Sequence, residues 1–141
     1  MFIMIISKWI VLASFVFASP TFAAEIKNLP EGAKLLTKPE VIALYSAKPY
    51  IWTHPFTDKG TGTLTFVDAK SYMSGAFNFD GKKGEWEGKI SWKNGRYCIQ
   101  TRGKGGKKYD PIKCQDVYQV GDTLYEVDPK SRKITSVNMP Q

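Results

Sequence analysis

The chain is poor in the residues that most catalytic and metal sites require. It has one histidine, His54, and only two cysteines, Cys98 and Cys114. A serine or cysteine nucleophile needs a histidine base that is oriented by an acid, and no Gly-x-Ser-x-Gly sequence is present. A structural zinc site has four close ligands, so these three side chains do not form a zinc ligand set. We predict that the protein is not an enzyme, with no metal and no cofactor.

A glycosidase would need two carboxylates in different environments. Glu85 and Glu87 share one face of a predicted strand, roughly 7 Å apart, but lysines flank them. This pattern is typical of a solvated face, and a hydrolase remains only a minor alternative.

Long apolar runs are missing except at the start, "MFIMIISKWIVLASFVFASPTFAAE". Lys8 precedes an apolar run that ends at Ala18, Pro20 breaks it, and small residues lead to Ala23. This layout predicts a signal peptide over residues 1–23. The run is short of the roughly 20 residues of a membrane span, and no nearby cysteine could carry a lipid. We expect a periplasmic or secreted protein without a transmembrane anchor after cleavage.

Two cysteines in an exported chain predict a disulfide between Cys98 and Cys114. It would close a loop of about 15 residues and contribute roughly 3 kcal/mol by the chain-entropy model.

Residues 24–36 form a polar lead with Pro30 and Gly32, which predicts an extended N-terminal arm. One helix follows in "LTKPEVIALYSAKPY". Thr37 and Glu40 have the spacing of a capping box, and Pro39 suits the first turn. Val41, Leu44 and Tyr45 give an apolar stripe, and Pro49 ends the helix.

From Tyr50 onward the hydrophobic period is two. "YMSGAFNF" places Met73, Gly75, Phe77 and Phe79 on one face, and "EWEGKISW" does the same for Trp86, Gly88, Ile90 and Trp92. Asp80-Gly81 and Asn94-Gly95 are hairpin turns. Residues 37–141 therefore predict one mainly β domain. It is an antiparallel meander of seven or eight strands that forms a small barrel or strongly curved sheet, with one N-terminal helix.

The Gly-x-Trp of "GEWEG" invites comparison with lipocalin-type and avidin-type barrels. A ligand pocket of that kind would be lined by Phe77, Trp86 and Trp92, although side chains on one strand face are more often plain core. Eight-stranded barrels are either filled or hollow, and the pattern leaves both open.

The segment between the cysteines, "CIQTRGKGGKKYDPIKC", is rich in glycine and lysine. It lacks the Gly-Lys-Ser/Thr and following helix of a nucleotide-binding loop. Its cations face a single carboxylate, Asp110, and form a candidate anion- or partner-binding patch: Arg102, Lys104, Lys107, Lys108 and Lys113. Lipopolysaccharide, an acidic polysaccharide or a protein would be the partner, whereas no nucleic-acid-binding module is present. A soluble hairpin tip explains the same residues.

Four segments in this order resemble a family of small exported alphaproteobacterial proteins of unknown function: "TKPEVIALYSAKPYIW", "YMSGAFNFDGKKGEWEG", "NGRYC" and "CQDVYQVGDTLYEV". The similarity runs from Leu36 to Val127 and rests on a leading helix, a Gly-x-Trp hairpin and a cysteine pair. It implies a periplasmic or secreted β-rich protein without known catalysis.

The sequence thus favours a non-enzymatic cell-envelope protein that acts by binding. The alternatives are a calycin-like carrier of a small apolar ligand and, less favoured, a hydrolase. Inhibition of a lysozyme is disfavoured because a basic inhibitor would repel a usually basic enzyme.

Overall fold

The computed structural model of the chain describes residues 25–54 and 60–141. The predicted signal peptide therefore lies outside the described residues. Within these residues, one helix and nine strands follow one another: β1 (Lys34–Leu35), α1 (Lys38–Ala47), β2 (Tyr50–Thr53), β3 (Gly60–Asp68), β4 (Tyr72–Phe79), β5 (Lys82–Lys93), β6 (Arg96–Gly103), β7 (Lys113–Val120), β8 (Thr123–Val127) and β9 (Ile134–Pro140).

The strands from β2 to β9 form a closed barrel. Each is antiparallel to the next, and β9 pairs back on β2 with Ile51 opposite Met139. The short β1 adds to β7, with Lys34 opposite Gln119. Closure removes the two open edges that a flat meander would expose. The predicted β-rich meander with one helix is confirmed, and it takes the form of an eight-stranded barrel.

Two tight turns set the register of the central strands. Asp80 and Gly81 both have positive φ, 50° and 79°, and so do Asn94 and Gly95, with 52° and 76°. Turns with two positive φ values match the twist of antiparallel strands. The first turn places Phe79 opposite Lys82, so every later pair between β4 and β5 follows from it.

The N-terminus of α1 is capped by a carboxylate. Glu40 Oε2 accepts hydrogen bonds from the Thr37 backbone nitrogen at 2.8 Å and from the Thr37 hydroxyl at 2.9 Å. Glu40 Oε1 lies 2.5 Å from Lys34 Nζ. The Lys34 hydrogen bond, with those from Thr37, lowers the pKa of Glu40 to about 2. The predicted cap is therefore present.

Helix α1 buries Val41 and Tyr45 against one end of the barrel. The Tyr45 ring stacks on Phe66 at 4.0 Å and meets the edge of Tyr50 at 5.2 Å. Tyr97 lies 5.9 Å from the same ring. Tyr50 and Tyr97 lie at the start of β2 and β6, and Phe66 lies near the end of β3. Because the strands are antiparallel, all three side chains lie at the same end of the barrel. The helix therefore plugs that end with aromatic side chains.

The N-terminal arm packs on the outside of the barrel. Ile26 is buried with Val127 and Ile134 in a small satellite cluster, and the Leu36 backbone nitrogen donates to the Val117 carbonyl at 2.9 Å. Within residues 25–54 and 60–141, no helix is long and apolar enough to cross a membrane.

Candidate functional site

A cavity of about 610 Å³ occupies the barrel on the side away from α1. Its walls are mainly apolar side chains from β2 to β6, namely Trp52, Leu64, Met73, Phe77, Phe79, Trp86 and Ile99. It meets solvent at Gly103, Asp110 and Lys113, which are exposed and border it. Barrels of eight strands are just wide enough to be filled by side chains or to hold one small ligand. This barrel is filled at the helix end and hollow at the other.

The hollow results from pairing large rings with glycines. Each of four wall rings lies opposite a glycine of a neighbouring strand: Trp52 opposite Gly62, Phe77 opposite Gly84, Phe79 opposite Gly60 and Trp86 opposite Gly75. A Cβ atom on any of these glycines would come within 2.5 to 2.8 Å of the paired ring. The rings therefore lie along the wall over bare backbone, which keeps them out of the centre of the barrel.

Gly103 differs from these wall glycines. It borders the mouth of the cavity, its φ is not in the left-handed region, and a Cβ atom there would meet nothing within 4 Å. A side chain at this position would therefore enter open space at the mouth without displacing the wall.

A network of polar side chains lies at the cavity floor, where the plug meets the hollow, and its members Glu126 and Ser136 line the cavity. The Tyr45 hydroxyl donates to Glu126 Oε1 at 2.8 Å. Asn138 Nδ2 donates to Glu126 Oε1 at 3.2 Å and to the Tyr45 hydroxyl oxygen at 2.9 Å. The Ser136 hydroxyl in turn donates to Asn138 Oδ1 at 2.7 Å. Because α1, β8 and β9 each supply a member, this network fixes the helix on the barrel.

Burial has the largest effect on the pKa values of Glu126, Tyr45 and Tyr97 at the cavity floor. It raises the pKa of the Glu126 carboxyl above its ordinary value, although the hydrogen bonds from Tyr45 and Asn138 act in the opposite direction. Burial also raises the pKa of the Tyr45 and Tyr97 hydroxyls well above the ordinary range. Both tyrosines are therefore neutral donors at physiological pH.

Two floor atoms keep unused hydrogen-bonding capacity. Gln115 Oε1 accepts from the Thr135 hydroxyl at 2.9 Å, which leaves Gln115 Nε2 without a partner in the described part of the chain. Glu126 Oε2 has no hydrogen-bond partner there either, since both hydrogen bonds that the carboxylate accepts end on Oε1. Gln115, Glu126 and Thr135 all border the cavity. The floor thus offers a bound molecule one acceptor and one donor.

The predicted pocket residues divide between the two ends of the barrel. Phe77 and Trp86 line the cavity. Trp92 lies at the plugged end, 5.8 Å from the Tyr97 ring and beneath Lys38 Nζ at 5.5 Å. Trp92 therefore packs in the core beside α1, as the apolar strand face also allowed.

The predicted disulfide is confirmed. Cys98 on β6 and Cys114 on β7 are directly opposite each other, with their sulfur atoms 2.02 Å apart. Only three residue pairs join these two strands, compared with eight between β5 and β6. The covalent link therefore lies at a short seam of the barrel and anchors both ends of the basic loop.

The five cations proposed for the loop differ in their partners. Arg102 Nε lies 2.5 Å from Glu87 Oε1, and its guanidinium covers the Tyr109 ring at 4.3 Å. Lys104 Nζ lies 3.0 Å from Glu85 Oε2. Lys113 borders the cavity mouth. Lys107 and Lys108 are exposed and, like Lys113, make no ion pair with the described residues, so these three lysines carry the unpaired charge of the loop.

The carboxylates of β5 have structural partners. Glu87 accepts hydrogen bonds from the Tyr72 hydroxyl at 2.9 Å and from Arg102, and these bonds lower its pKa. Glu85 pairs with Lys104. His54 lies at the end of β2, where its backbone nitrogen donates to the Gly60 carbonyl at 3.1 Å. No group of three or more potential metal ligands occurs within the two described ranges.

Sequence reasoning missed the cavity floor. Glu126 and Leu124 alternate with Tyr125 in "TLYEV", so both belong to the inward face of β8. An acidic residue in phase with a buried leucine is a detectable signal. Its partners Tyr45 and Asn138 are 81 and 12 residues away in sequence, and no local pattern brings them to it.

Comparison with known proteins finds no match. No family model matches the chain, and neither a curated protein nor a solved structure is similar to it at a significant level. The barrel, its cavity and its polar floor are therefore the basis for assigning a function.

Proposed function

We propose that the protein binds a small, largely apolar molecule inside the barrel. The observation that carries this proposal is the 610 Å³ cavity with aromatic walls and a polar floor. Ligand sites are typically concave spaces of about 300–1,000 Å³ lined by apolar and aromatic side chains, with a few polar groups that set orientation. The cavity agrees with that description in size and in lining.

The walls are held in position before any ligand arrives. Trp52 and Trp86 rest on Gly62 and Gly75, and substitution of either glycine would bring a Cβ atom against backbone oxygen as well as the ring. The Cys98–Cys114 bond fixes the seam beside the mouth. Preorganisation of this kind reduces the entropy lost on binding, which supports a role in binding without catalysis.

An intramolecular disulfide persists in oxidising surroundings and is rare in reducing ones. We therefore propose that binding takes place in the periplasm or outside the cell, as a carrier or a sequestering protein. Fractionation of the native source with antibody detection tests this location, and recovery only with cytoplasmic markers contradicts it.

A blocked mouth tests the cavity directly. N-phenyl-1-naphthylamine fluoresces strongly in apolar surroundings and serves as the probe. We expect Gly103→Phe to weaken its binding by at least about tenfold, equivalent to about 1.4 kcal/mol, because the new ring enters the open mouth.

Thr65→Phe is the matched control, since it places the same ring at an exposed position of β3. It should bind the probe as the wild type does. The proposal fails if the wild type does not enhance the fluorescence, or if both variants bind equally well.

A second binding surface is favoured by one observation. Lys107 and Lys108 are exposed at the tip of a loop that the disulfide holds, and neither is neutralised by a described carboxylate. We propose that this tip contacts an anionic envelope component such as lipopolysaccharide or acidic polysaccharide. Arg102 and Lys104 contribute less, because Glu87 and Glu85 already pair with them.

A further inference from the structure

We propose that Glu126 is the recognition group of the cavity and that its ligand is an apolar molecule ending in a primary amine. The inference rests on the proposed function, since it names the ligand class of that same cavity. The amine would lie at the floor, against Glu126 Oε2, and the apolar body would extend along the aromatic walls toward the mouth.

The geometry leaves one carboxylate oxygen for the ligand. Glu126 Oε1 is held by Tyr45 and Asn138 at 2.8 and 3.2 Å, which fixes the orientation of the carboxyl group. Glu126 Oε2 has no partner among the described residues, and the side chain borders the cavity. Among the described residues, the polar side-chain atoms that are fully buried and lack a partner are the indole nitrogens of Trp86 and Trp92. Glu126 Oε2 also lacks a partner but is not one of these buried atoms, so it is accessible from the cavity.

Structural needs alone do not explain a carboxyl group here. A glutamine would accept the same hydrogen bonds from Tyr45 and Asn138 through one oxygen and would carry no charge. A carboxylate removed from water without a cation is unfavourable, and no described lysine or arginine pairs with Glu126. Such a carboxyl group, half-buried and bordering a cavity, is a typical sign of a functional site.

A ligand ammonium supplies what the floor lacks. It provides the missing counter-charge and a charge-assisted hydrogen bond, which is stronger than a neutral one. A carboxylate ligand would instead repel Glu126. The mouth does not select charge so clearly, because Asp110 borders the cavity together with Lys113 and with Arg102, which is paired with Glu87.

Four probes that share one aromatic body separate the possibilities: 1-naphthylmethylamine, 1-naphthylmethanol, 1-methylnaphthalene and 1-naphthaleneacetic acid. Calorimetric titration of the wild type at neutral pH should give the tightest binding for the amine. We expect it to exceed 1-methylnaphthalene by about tenfold, the order expected for one buried charge-assisted hydrogen bond. The acid should bind most weakly.

Glu126→Gln should remove the preference for the amine while leaving the affinity for 1-methylnaphthalene within about twofold. Glu85→Gln makes the same charge change on the exposed face of β5 and should keep the preference. Unchanged affinity for 1-methylnaphthalene also shows that the Glu126→Gln cavity is intact.

The outcomes distinguish the two proposals. If the wild type binds the naphthyl probes without regard to the end group, or favours the acid, the amine inference is wrong and the cavity function stands. If Glu126→Gln retains the preference, Glu126 is not the recognition group. If no probe binds, both proposals fall.

Discussion

The Glu126 carboxyl that we propose as the recognition group has a cost for stability. Its carboxyl is half-buried beside Tyr45 without a counter-charge among the described residues, and burial raises its pKa. A carboxyl with a raised pKa binds its proton more tightly in the folded state than in the unfolded one. Stability then falls as pH rises from the ordinary pKa through the folded-state pKa. The residue therefore weakens the fold at neutral pH.

This argument predicts that Glu126→Gln raises the melting temperature at pH 7 by a few degrees. The gain should shrink toward zero near about pH 3, below the ordinary pKa of glutamate, where Glu126 is protonated in both states and resembles glutamine. Differential scanning calorimetry between about pH 3 and pH 8 measures the trend. A gain that does not change with pH, or a loss of stability at pH 7, would contradict it.

Glu85→Gln serves as the control for this measurement as well. Glu85 is exposed and pairs with Lys104 on the surface, where ion pairs contribute little to stability. Its substitution should shift the melting temperature only slightly across the same pH range.

Strand β4 has no room for a side chain at Gly75. A Cβ atom on Gly75 would lie 1.9 Å from the Thr63 carbonyl oxygen and 2.8 Å from the Trp86 ring. Backbone cannot give way as a flexible side chain can. We expect Gly75→Ala to destabilise the fold by about 2–4 kcal/mol in urea unfolding, in the range of severe overpacking.

Gly103→Ala is the matched control, because a Cβ atom there has open space. Its effect should stay within about 0.5 kcal/mol, as for ordinary surface substitutions. Equal unfolding midpoints for the two variants would show that the wall is not built on the contact at Gly75.

Much of the hairpin geometry could be predicted from the sequence. The Asp80-Gly81 turn places Phe79 opposite Lys82, and counting back from it pairs Phe77 with Gly84 and Gly75 with Trp86. The aromatic–glycine pairs of β4 and β5 were thus accessible from a two-residue turn and the alternation of the strands.

The aromatic plug and the polar cavity floor could not be predicted from the sequence in this way. Tyr45 reaches Glu126 across 81 residues, and Asn138 joins them because β9 pairs with β8, where Asn138 lies opposite Leu124. A strand pattern gives neither the closing pair nor the end of the barrel that a helix covers. The choice between a filled and a hollow interior depended on those two facts, so the sequence left it open. The same reason explains why Trp86 lines the cavity and Trp92 does not.

The charge of the whole molecule is strongly positive, with a formal net charge of +7 over 141 residues. The loop tip concentrates part of that charge, and it lies near the cavity mouth because both follow the end of β6. We expect Lys107→Glu combined with Lys108→Glu to lower the salt concentration that elutes the protein from heparin or immobilised lipopolysaccharide.

Lys70→Glu combined with Lys93→Glu makes an equal charge change at the turns of the plugged end, where both lysines are exposed. If net charge alone governs retention, the two double variants will elute together and the loop has no special role. Earlier elution of the loop variant alone supports the local contact.

The aromatic–glycine wall has a consequence for how this barrel can diversify. Positions such as Gly62 and Gly75 are closed to variation because any side chain meets backbone. Gly103 has room for almost any residue. Descendants of such a chain could therefore change which cargo enters by single replacements at the entrance, while the frame stays the same. A scaffold with a rigid interior and a permissive entrance gives natural selection a new specificity at small risk to folding.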